Sequence, residues 1–419
     1  MQKEYFDIRP PRRLQARICL PASKSISNRA LIINALSRSA MMPENVSDCD
    51  DTRVMLAALR DRPEVIDIGA AGTAMRFLTA YLSVTPGTHT ITGTERMRHR
   101  PIAILVDALR RLGADIRYEG EEGFPPLRIT GNPHLQGGEL TLPGNVSSQY
   151  ISALLMIAPT LTRGLRMVLT GDIVSRPYLN MTVSLMREFG VEAEWESEQV
   201  LCVAPQTYRP RPYIIENDWS AAGYWYEMVA LSSDPQAEVV LPGLHADSLQ
   251  GDRQVSRLFA ELGVTTEFFR EADGTESVRL RKGGTVAGQF RGDFTRVPDL
   301  AQTVAVACAM LEVPFELHGL QTLRIKETDR IRAIRSELCK WGYEIETTDE
   351  MMAWRGTQGC NDAAGDLGIA TYEDHRMAMA FAPACLRRGE VRIYCPEVVS
   401  KSYPTYWDDL RNAGFEVCS

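Results

Sequence analysis

Residues 109–118, LRRLGADIRY, end an amphipathic pattern on Gly113 and then alternate apolar with polar side chains. That is the pattern of a helix that stops on a glycine and turns back as a strand. The pattern recurs as MREFGVEAEW (186–195, around Gly190), FAELGVTTEF (259–268, around Gly263), LCKWGYEIET (338–347, around Gly342) and LRNAGFEV (410–417, around Gly414). Successive glycines are 77, 73, 79 and 72 residues apart. A fixed period of this kind constrains the whole fold before any motif is considered.

A second series runs in phase with the first. It consists of apolar stretches that open on small or polar residues: SKSISNRALIINALS from Ser23, AAGTAMRFLTAYLS from Ala70, NVSSQYISALLMIAPTL from Asn145, NDWSAAGYWYEMVAL from Asn217, PDLAQTVAVACAML from Pro298 and YEDHRMAMAFAPACL from Tyr372. Helices apolar nearly all round are expected to be buried. Amphipathic partners begin near Asp51, Pro101, Pro177, Gly251, Thr328 and Pro404. Each unit thus holds one buried helix, one surface helix and short strands. The first unit is short, because 19 residues separate Asp51 from Ala70 whereas 44 separate Pro101 from Asn145. About two strands are missing there. Six such units predict an α/β (α+β) fold in which sheets pack over buried helices, grouped three by three. An open solenoid is the competing architecture, but a period of about 75 residues exceeds the 20–50 usual for solenoid units.

The 419 residues are 44% hydrophobic and 24% charged, ordinary globular composition for a chain too long to share one core. Two domains are the expectation. A formal charge of −8 speaks against an anionic polymer as partner, and no extended basic face with stacking aromatics points to nucleic acid. The N-terminal residues 1–15 hold no apolar signal segment, and the longest apolar runs, such as 150–161, fall short of the ~20 residues of a membrane span. A cytoplasmic protein without membrane or nucleic-acid partner is expected, acting as a monomer. Cysteines 19, 49, 202, 308, 339, 360, 385, 395 and 418 form no CxxC pair and no metal spacing. They read as reduced thiols, and no metal site is expected.

Cations gather at the predicted helix starts: Lys24 and Arg29, Arg76, Arg100 before Pro101, Arg176 before Pro177, Lys326 and Arg330, Arg376, and Lys401 before Pro404. A helix N-terminus already carries partial positive charge, so cations placed there oppose helix stability and favour an anion. One such residue is more often merely solvated; a series at equivalent repeat positions in an acidic chain points to bound anions. Two anionic groups held between two domains would account for it. Carboxylates stand among these cations. Asp299 in VPDLAQ and Glu327 in IKETDR are candidates for proton exchange with a substrate, although capping explains Asp299 equally well and a simple ion pair could explain Glu327. His375, beside Arg376, reads as structural when taken alone. Ser147, Ser148 and Gln149 place short donors at the start of a buried helix, where capping uses one of them. The small residues 70–73, Ala-Ala-Gly-Thr, would let backbone approach a ligand, or simply let helices pack closely.

In order along the chain, LPASKSISNRALI, GTAMRFLTAYLS, RMRHRPI, GNVSSQYISALLM, VSRPY, VPDLA, IKETDRI, YEDHRMAMAFA and VSKSYP resemble the signature segments of the 3-phosphoshikimate 1-carboxyvinyltransferase, or EPSP synthase, family of enolpyruvyl transferases. The resemblance implies two similar domains, each of three βαβαββ units with helices beneath sheets in an inside-out barrel, the first repeat being truncated. It implies that residues 1–20 and 219–419 form one domain, closed by the N-terminal strand, and 21–218 the other. It further implies that phosphoenolpyruvate and shikimate 3-phosphate are the substrates and that no metal or organic cofactor is needed. By motif, Lys24, Ser25, Arg29, Ser147, Ser148, Gln149, Ser175, Tyr178, Asp299, Thr322 and Lys326 would hold shikimate 3-phosphate. Lys24, Gly72, Arg100, Gln149, Arg330, His375, Arg376 and Lys401 would hold phosphoenolpyruvate. Asp299 would be the base, Glu327 the acid and Lys24 the stabiliser of charge moving onto phosphate. Two positions depart from the family pattern: Ala70 and Thr322 stand where asparagines are usual.

Two other readings fit less well. The related transferase acting on a UDP-linked amino sugar is expected to carry a cysteine before its Arg-Pro, and TERMRHR (94–100) has none. A catalytically silent relic of the fold would have no reason to keep both proton-transfer carboxylates together with Lys24, Arg330, Arg376 and Lys401.

Overall fold

Gly113, Gly190, Gly263, Gly342 and Gly414 all have left-handed φ, from +78° to +101°, so each reverses the chain in a conformation that costs other residues a Cβ clash. At four of them a helix ends just before and a strand follows. Gly263 differs: the helix Val255–Ala260 ends earlier and the strand Leu262–Arg270 already contains the glycine, at a register shift against Glu276–Val286. A bulge absorbs the reversal there.

The computed structural model of the chain describes residues 4–359 and 366–419. Cys360 lies outside them. Contacts divide the chain into two compact units, one formed by residues up to Pro21 together with Glu216–Ser419, the other by Ala22–Ile215. Each has its own apolar core.

The six buried helices are α1 (Lys24–Leu36), α2 (Gly72–Val84), α3 (Ser148–Ile157), α4 (Trp219–Leu231), α5 (Ala301–Met310) and α6 (His375–Phe381). All 13 residues of α2 and all ten of α5 are buried, which is what their uniform apolarity requires. Two hydroxyls inside α2 are satisfied within the helix: Thr79 Oγ1 donates to Met75 O at 2.6 Å and Ser83 Oγ to Thr79 O at 2.8 Å. Side chains cap the starts where the sequence offers them, Ser23 for α1, Ser147 for α3, Asp218 for α4 and Asp374 for α6.

Over these helices lie mixed sheets with one shared topology. In Ala22–Ile215, Val65–Asp67 runs parallel to Gly87–Thr92, which pairs antiparallel with Leu127–Gly131, itself antiparallel to Asp115–Tyr118. The strands Gly138–Pro143, Leu165–Thr170, Val200–Val203 and Glu194–Ser197 repeat the order. In the other unit, Phe290–Asp293, Phe315–His318, Met352–Gln358 and Tyr343–Thr347 repeat it again, and so do Gln15–Arg17, Glu238–Pro242, Glu276–Val286 and Leu262–Arg270. The last sheet is closed by the N-terminal strand Tyr5–Arg9, antiparallel on one side to Val391–Tyr394 and on the other to Glu416–Cys418. Buried Ile8 faces Val391 and Val417 across it.

The first repeat is truncated as its spacing implied. From the helix Asp50–Asp61 the chain passes straight to Val65–Asp67, which opens the next repeat, and an isolated parallel bridge joins Glu44 to Ile214. The expectation of nine reduced cysteines fails at Cys339, which is disulfide-bonded. Cysteines 19, 49, 202, 308, 385, 395 and 418 are free. Among the described residues, no helix is long and apolar enough to cross a membrane.

Candidate active site

In the unit Ala22–Ile215, the starts of α1, α2, α3 and the helix Arg176–Glu188 position the predicted anion ligands. Ser23 caps α1, so Lys24 and Ser25 occupy its first turn, and Lys24 Nζ lies 3.9 Å from Asp51 Oδ2. Arg29, one turn further, is sealed from solvent. Its nitrogens donate to Thr182 Oγ1 (2.8 Å), Ser25 O (2.8 Å) and Ser152 Oγ (3.2 Å), and its guanidinium faces the rings of Phe77 and Tyr178. Among the described residues no carboxylate lies within ion-pair distance of it. Burial without a counterion pulls it down to about 10, so an anion brought alongside would be welcomed electrostatically.

Arg100 is placed against the start of α2 so closely that a methyl on Gly72 would lie 2.7 Å from its Nη1. Its Nε is buried with no hydrogen-bond partner among the described residues. An orphaned guanidinium donor beside the free N–H groups of a helix start forms a cradle for a carboxylate or phosphate. Gln149 Nε2 reaches Thr73 Oγ1 at 3.1 Å, tying the start of α3 to the same place. Ser175 adopts left-handed φ of +57° as the residue before Arg176, which stacks on Trp195.

In the other unit one side chain organises everything. Arg330, the first residue of the helix Arg330–Lys340, donates to Asp374 (2.7 Å), Asp299 (2.8 Å) and Glu327 (2.8 Å). Asp299 also lies 3.5 Å from Lys326 and 3.3 Å from Arg376, while Glu327 is 3.1 Å from Lys401. Burial by itself would raise the Asp299 carboxyl, yet Arg376, Lys326 and Arg330 together hold it far below the usual carboxylate range. Burial opposes the charge on Arg330 too, and is outweighed by Asp374, Glu327 and Asp299, which raise it above its ordinary value. Arg376 Nη1 receives the remaining support from Tyr224 Oη and Asp299 O, at 3.4 and 3.3 Å. Two carboxylates sharing one guanidinium, ringed by three more cations, can exchange protons with a substrate while the cations bind anions.

Residues 8–62 and 61–410 match the family profile described as EPSP synthase (3-phosphoshikimate 1-carboxyvinyltransferase). A protein of that name from Bacteroides fragilis is 58% identical over 409 residues, covering 97% of each chain. The chain belongs to the EPSP synthase family. A relative of the same name from Bordetella petrii is 36% identical over 433 residues, covering 96% of each chain. The EPSP synthase structure from Acinetobacter baumannii shares the fold at a TM-score of 0.75, with 23% identity over 99% of this chain and all of that one.

Against the family pattern, Ala70 is solvent-exposed beside the cradle. Thr322, in the 3-10 turn Gln321–Ile325, keeps a buried Oγ1 with no hydrogen-bond partner among the described residues. Three cations sit differently from the sequence expectation. Arg100 precedes its helix, Ala103–Arg111, by three residues; Lys326 follows the turn Gln321–Ile325; Lys401 ends the 3-10 turn Pro396–Lys401. Asp299 makes no capping bond in the 3-10 turn Pro298–Leu300, so its ion pairs define it. His375 is buried with Nδ1 3.7 Å from Asp374 Oδ1.

The sequence reading overlooked Asp374, Asp51 and Tyr224. Asp374 directly precedes His375, and its bond to Arg330, 44 residues away in sequence, leaves no local signal. Asp51 lies in the first turn of the helix Asp50–Asp61, and Tyr224 is buried in α4.

Proposed function

We propose that the two clusters serve one reaction, transfer of the enolpyruvyl group of phosphoenolpyruvate to the 5-hydroxyl of shikimate 3-phosphate with release of inorganic phosphate. The observation that carries this reading is the Asp299–Arg330–Glu327 arrangement, two carboxylates on one sealed guanidinium among Lys326, Arg376 and Lys401. Shikimate 3-phosphate is assigned to Lys24, Ser25, Arg29, Ser147, Ser148, Gln149, Ser175, Tyr178, Asp299, Thr322 and Lys326. Phosphoenolpyruvate is assigned to Lys24, Gly72, Arg100, Gln149, Arg330, His375, Arg376 and Lys401.

Asp299 removes the proton of the attacking hydroxyl as its oxygen bonds to C2 of phosphoenolpyruvate, and Glu327 gives a proton to the methylene carbon. The resulting tetrahedral adduct expels phosphate while a proton leaves the methyl group, restoring the double bond. Lys24 stabilises the charge that collects on phosphate. A carboxylate gripped as firmly as Asp299 is a weak base until its cations are drawn elsewhere. Phosphoenolpyruvate, by engaging Arg330 and Arg376, loosens that grip and makes Asp299 basic only when the second substrate is present. The protein works in the cytoplasm as a monomer, without cofactor, membrane or nucleic acid.

The test is phosphate release from phosphoenolpyruvate with shikimate 3-phosphate, with plain shikimate, and with a UDP-linked amino sugar. Release with the first alone is expected, and Lys24→Ala should abolish it while leaving the fold intact. Tight binding of both substrates without phosphate release would identify a silent relic, and near-normal kcat in Lys24→Ala would reject the role of that lysine.

A further inference from the structure

Tyr150 reads in the sequence as one more apolar residue of α3, and its ring is indeed buried. Its hydroxyl has a separate task. Tyr150 Oη donates to Pro101 O at 2.6 Å, and the same oxygen accepts from Arg76 Nη2 at 3.1 Å. Through its other terminal nitrogen Arg76 donates to Gly72 O at 3.1 Å, and its guanidinium faces the Tyr150 ring at 5.8 Å. Arg76 therefore bridges the backbone at Gly72, against which the Arg100 guanidinium is seated, and the backbone at Pro101, the residue after Arg100, whose carbonyl Tyr150 also holds.

The segment needs holding. Arg100 lies in the loop between the short helix Glu95–Arg98 and the helix Ala103–Arg111, where backbone bonds from Arg100 N to Met97 O and from Ile102 N to Gly123 O fix the residues on either side of Pro101. Pro101 has no N–H to donate, so its carbonyl is the residue's one polar backbone handle. A guanidinium that must present its donors to an anion in a bidentate geometry gains from a backbone fixed within a fraction of an ångström.

We infer that Tyr150 is a positioning residue for Arg100, its hydroxyl fixing the Pro101 carbonyl so that the Arg100 guanidinium is set over Gly72 for the phosphoenolpyruvate anion. This rests on the reading that places phosphoenolpyruvate on Gly72 and Arg100. It concerns affinity for one substrate and not the chemical step.

The experiment is steady-state kinetics of Tyr150→Phe, Arg100→Ala and the double variant, with melting temperatures for all. Tyr150→Phe removes a single oxygen and keeps the ring on Arg76. The expected result is a KM for phosphoenolpyruvate raised about threefold to tenfold, the range that follows from losing one net hydrogen bond. KM for shikimate 3-phosphate and the melting temperature should stay at wild-type values, and the effect should vanish in the Arg100→Ala background. Equal rises in both KM values, a fall in melting temperature with no KM effect, or full additivity with Arg100→Ala would overturn the inference. If Arg100→Ala itself leaves the phosphoenolpyruvate KM unchanged, the assignment of that substrate to Arg100 fails. If Arg100→Ala raises it and Tyr150→Phe does not, the positioning role alone fails.

Discussion

Arg330 Nε lies 2.7 Å from Asp374 Oδ2, and the two side chains are 2% and 0% exposed. Asp374 also accepts from the Arg376 backbone N–H at 2.9 Å, so one carboxylate both starts α6 and aims the guanidinium that Asp299 and Glu327 share. Removing Asp374 strips the buried guanidinium of one of its three carboxylates and of a charge-assisted hydrogen bond, at a cost of about 1.5–3 kcal/mol. Asp374→Ala should therefore lose about that much in urea unfolding, and Asp374→Asn less, since an amide oxygen can still cap the helix. A loss below about 1 kcal/mol in Asp374→Ala would show that Arg330 is held adequately without it.

Glu327 is bound on both oxygens, to Arg330 at 2.8 Å and to Lys401 at 3.1 Å. Glu327→Gln keeps the shape and one acceptor but has no carboxyl proton to give. Kcat should fall by about 10²–10⁴, the usual contribution of a general acid, with KM values changed far less. Exchange of solvent deuterium into the methylene carbon of phosphoenolpyruvate should fall with it. A kcat within tenfold of wild type would remove Glu327 from the proton transfer.

The repeat was legible because it is written in local terms: a glycine that ends each surface helix, and buried helices apolar on every side. Lys24, Arg330 and Arg376 were legible because each puts a cation where a helix start or an apolar run predicts none, and Asp299 and Glu327 drew notice only as carboxylates among those cations. What stayed hidden depends on long-range approach. Nothing near Pro101 announces that Tyr150 will reach it, and nothing near Gly263 announces the bulge that lets a strand begin before the glycine. Asp374 was hidden in the same way, since its partner Arg330 lies 44 residues away in sequence.

Asp252 gives a pH dependence of stability with a definite sign. Burial, reinforced by the charge of Asp299, pushes its carboxyl up from 3.8 to about 6 against the opposing pull of Arg376 and of the Ser220 hydroxyl that bonds to it. A group whose value is raised on folding binds protons more tightly in the folded state. Its contribution is complete below the unfolded value and is lost as pH rises through about 6. Relative to Asp252→Asn, the wild type should lose about 2 kcal/mol of unfolding free energy between pH 4 and pH 7. Parallel stability curves for the two proteins over that range would refute the shift.

Glu227 is fully buried in α4, and among the described residues neither carboxyl oxygen has a hydrogen-bond partner. Burial pushes its carboxyl well above the ordinary range, and its charge would add to the burial that already raises Cys308 on α5 and Tyr406 on the helix Tyr406–Asn412. The sign is the same as for Asp252, with stability lost as pH climbs toward the raised value. Glu227→Leu removes both the unsatisfied oxygens and the titration, so it should stabilise the protein by about 1–3 kcal/mol. Glu227→Gln keeps the polar atoms but cannot ionise, so it should gain less while still flattening the alkaline side of the curve. Melting temperatures of the three proteins from pH 6 to pH 9 separate the two effects. If all three fall in parallel with rising pH, ionisation of Glu227 has no part in alkaline unfolding.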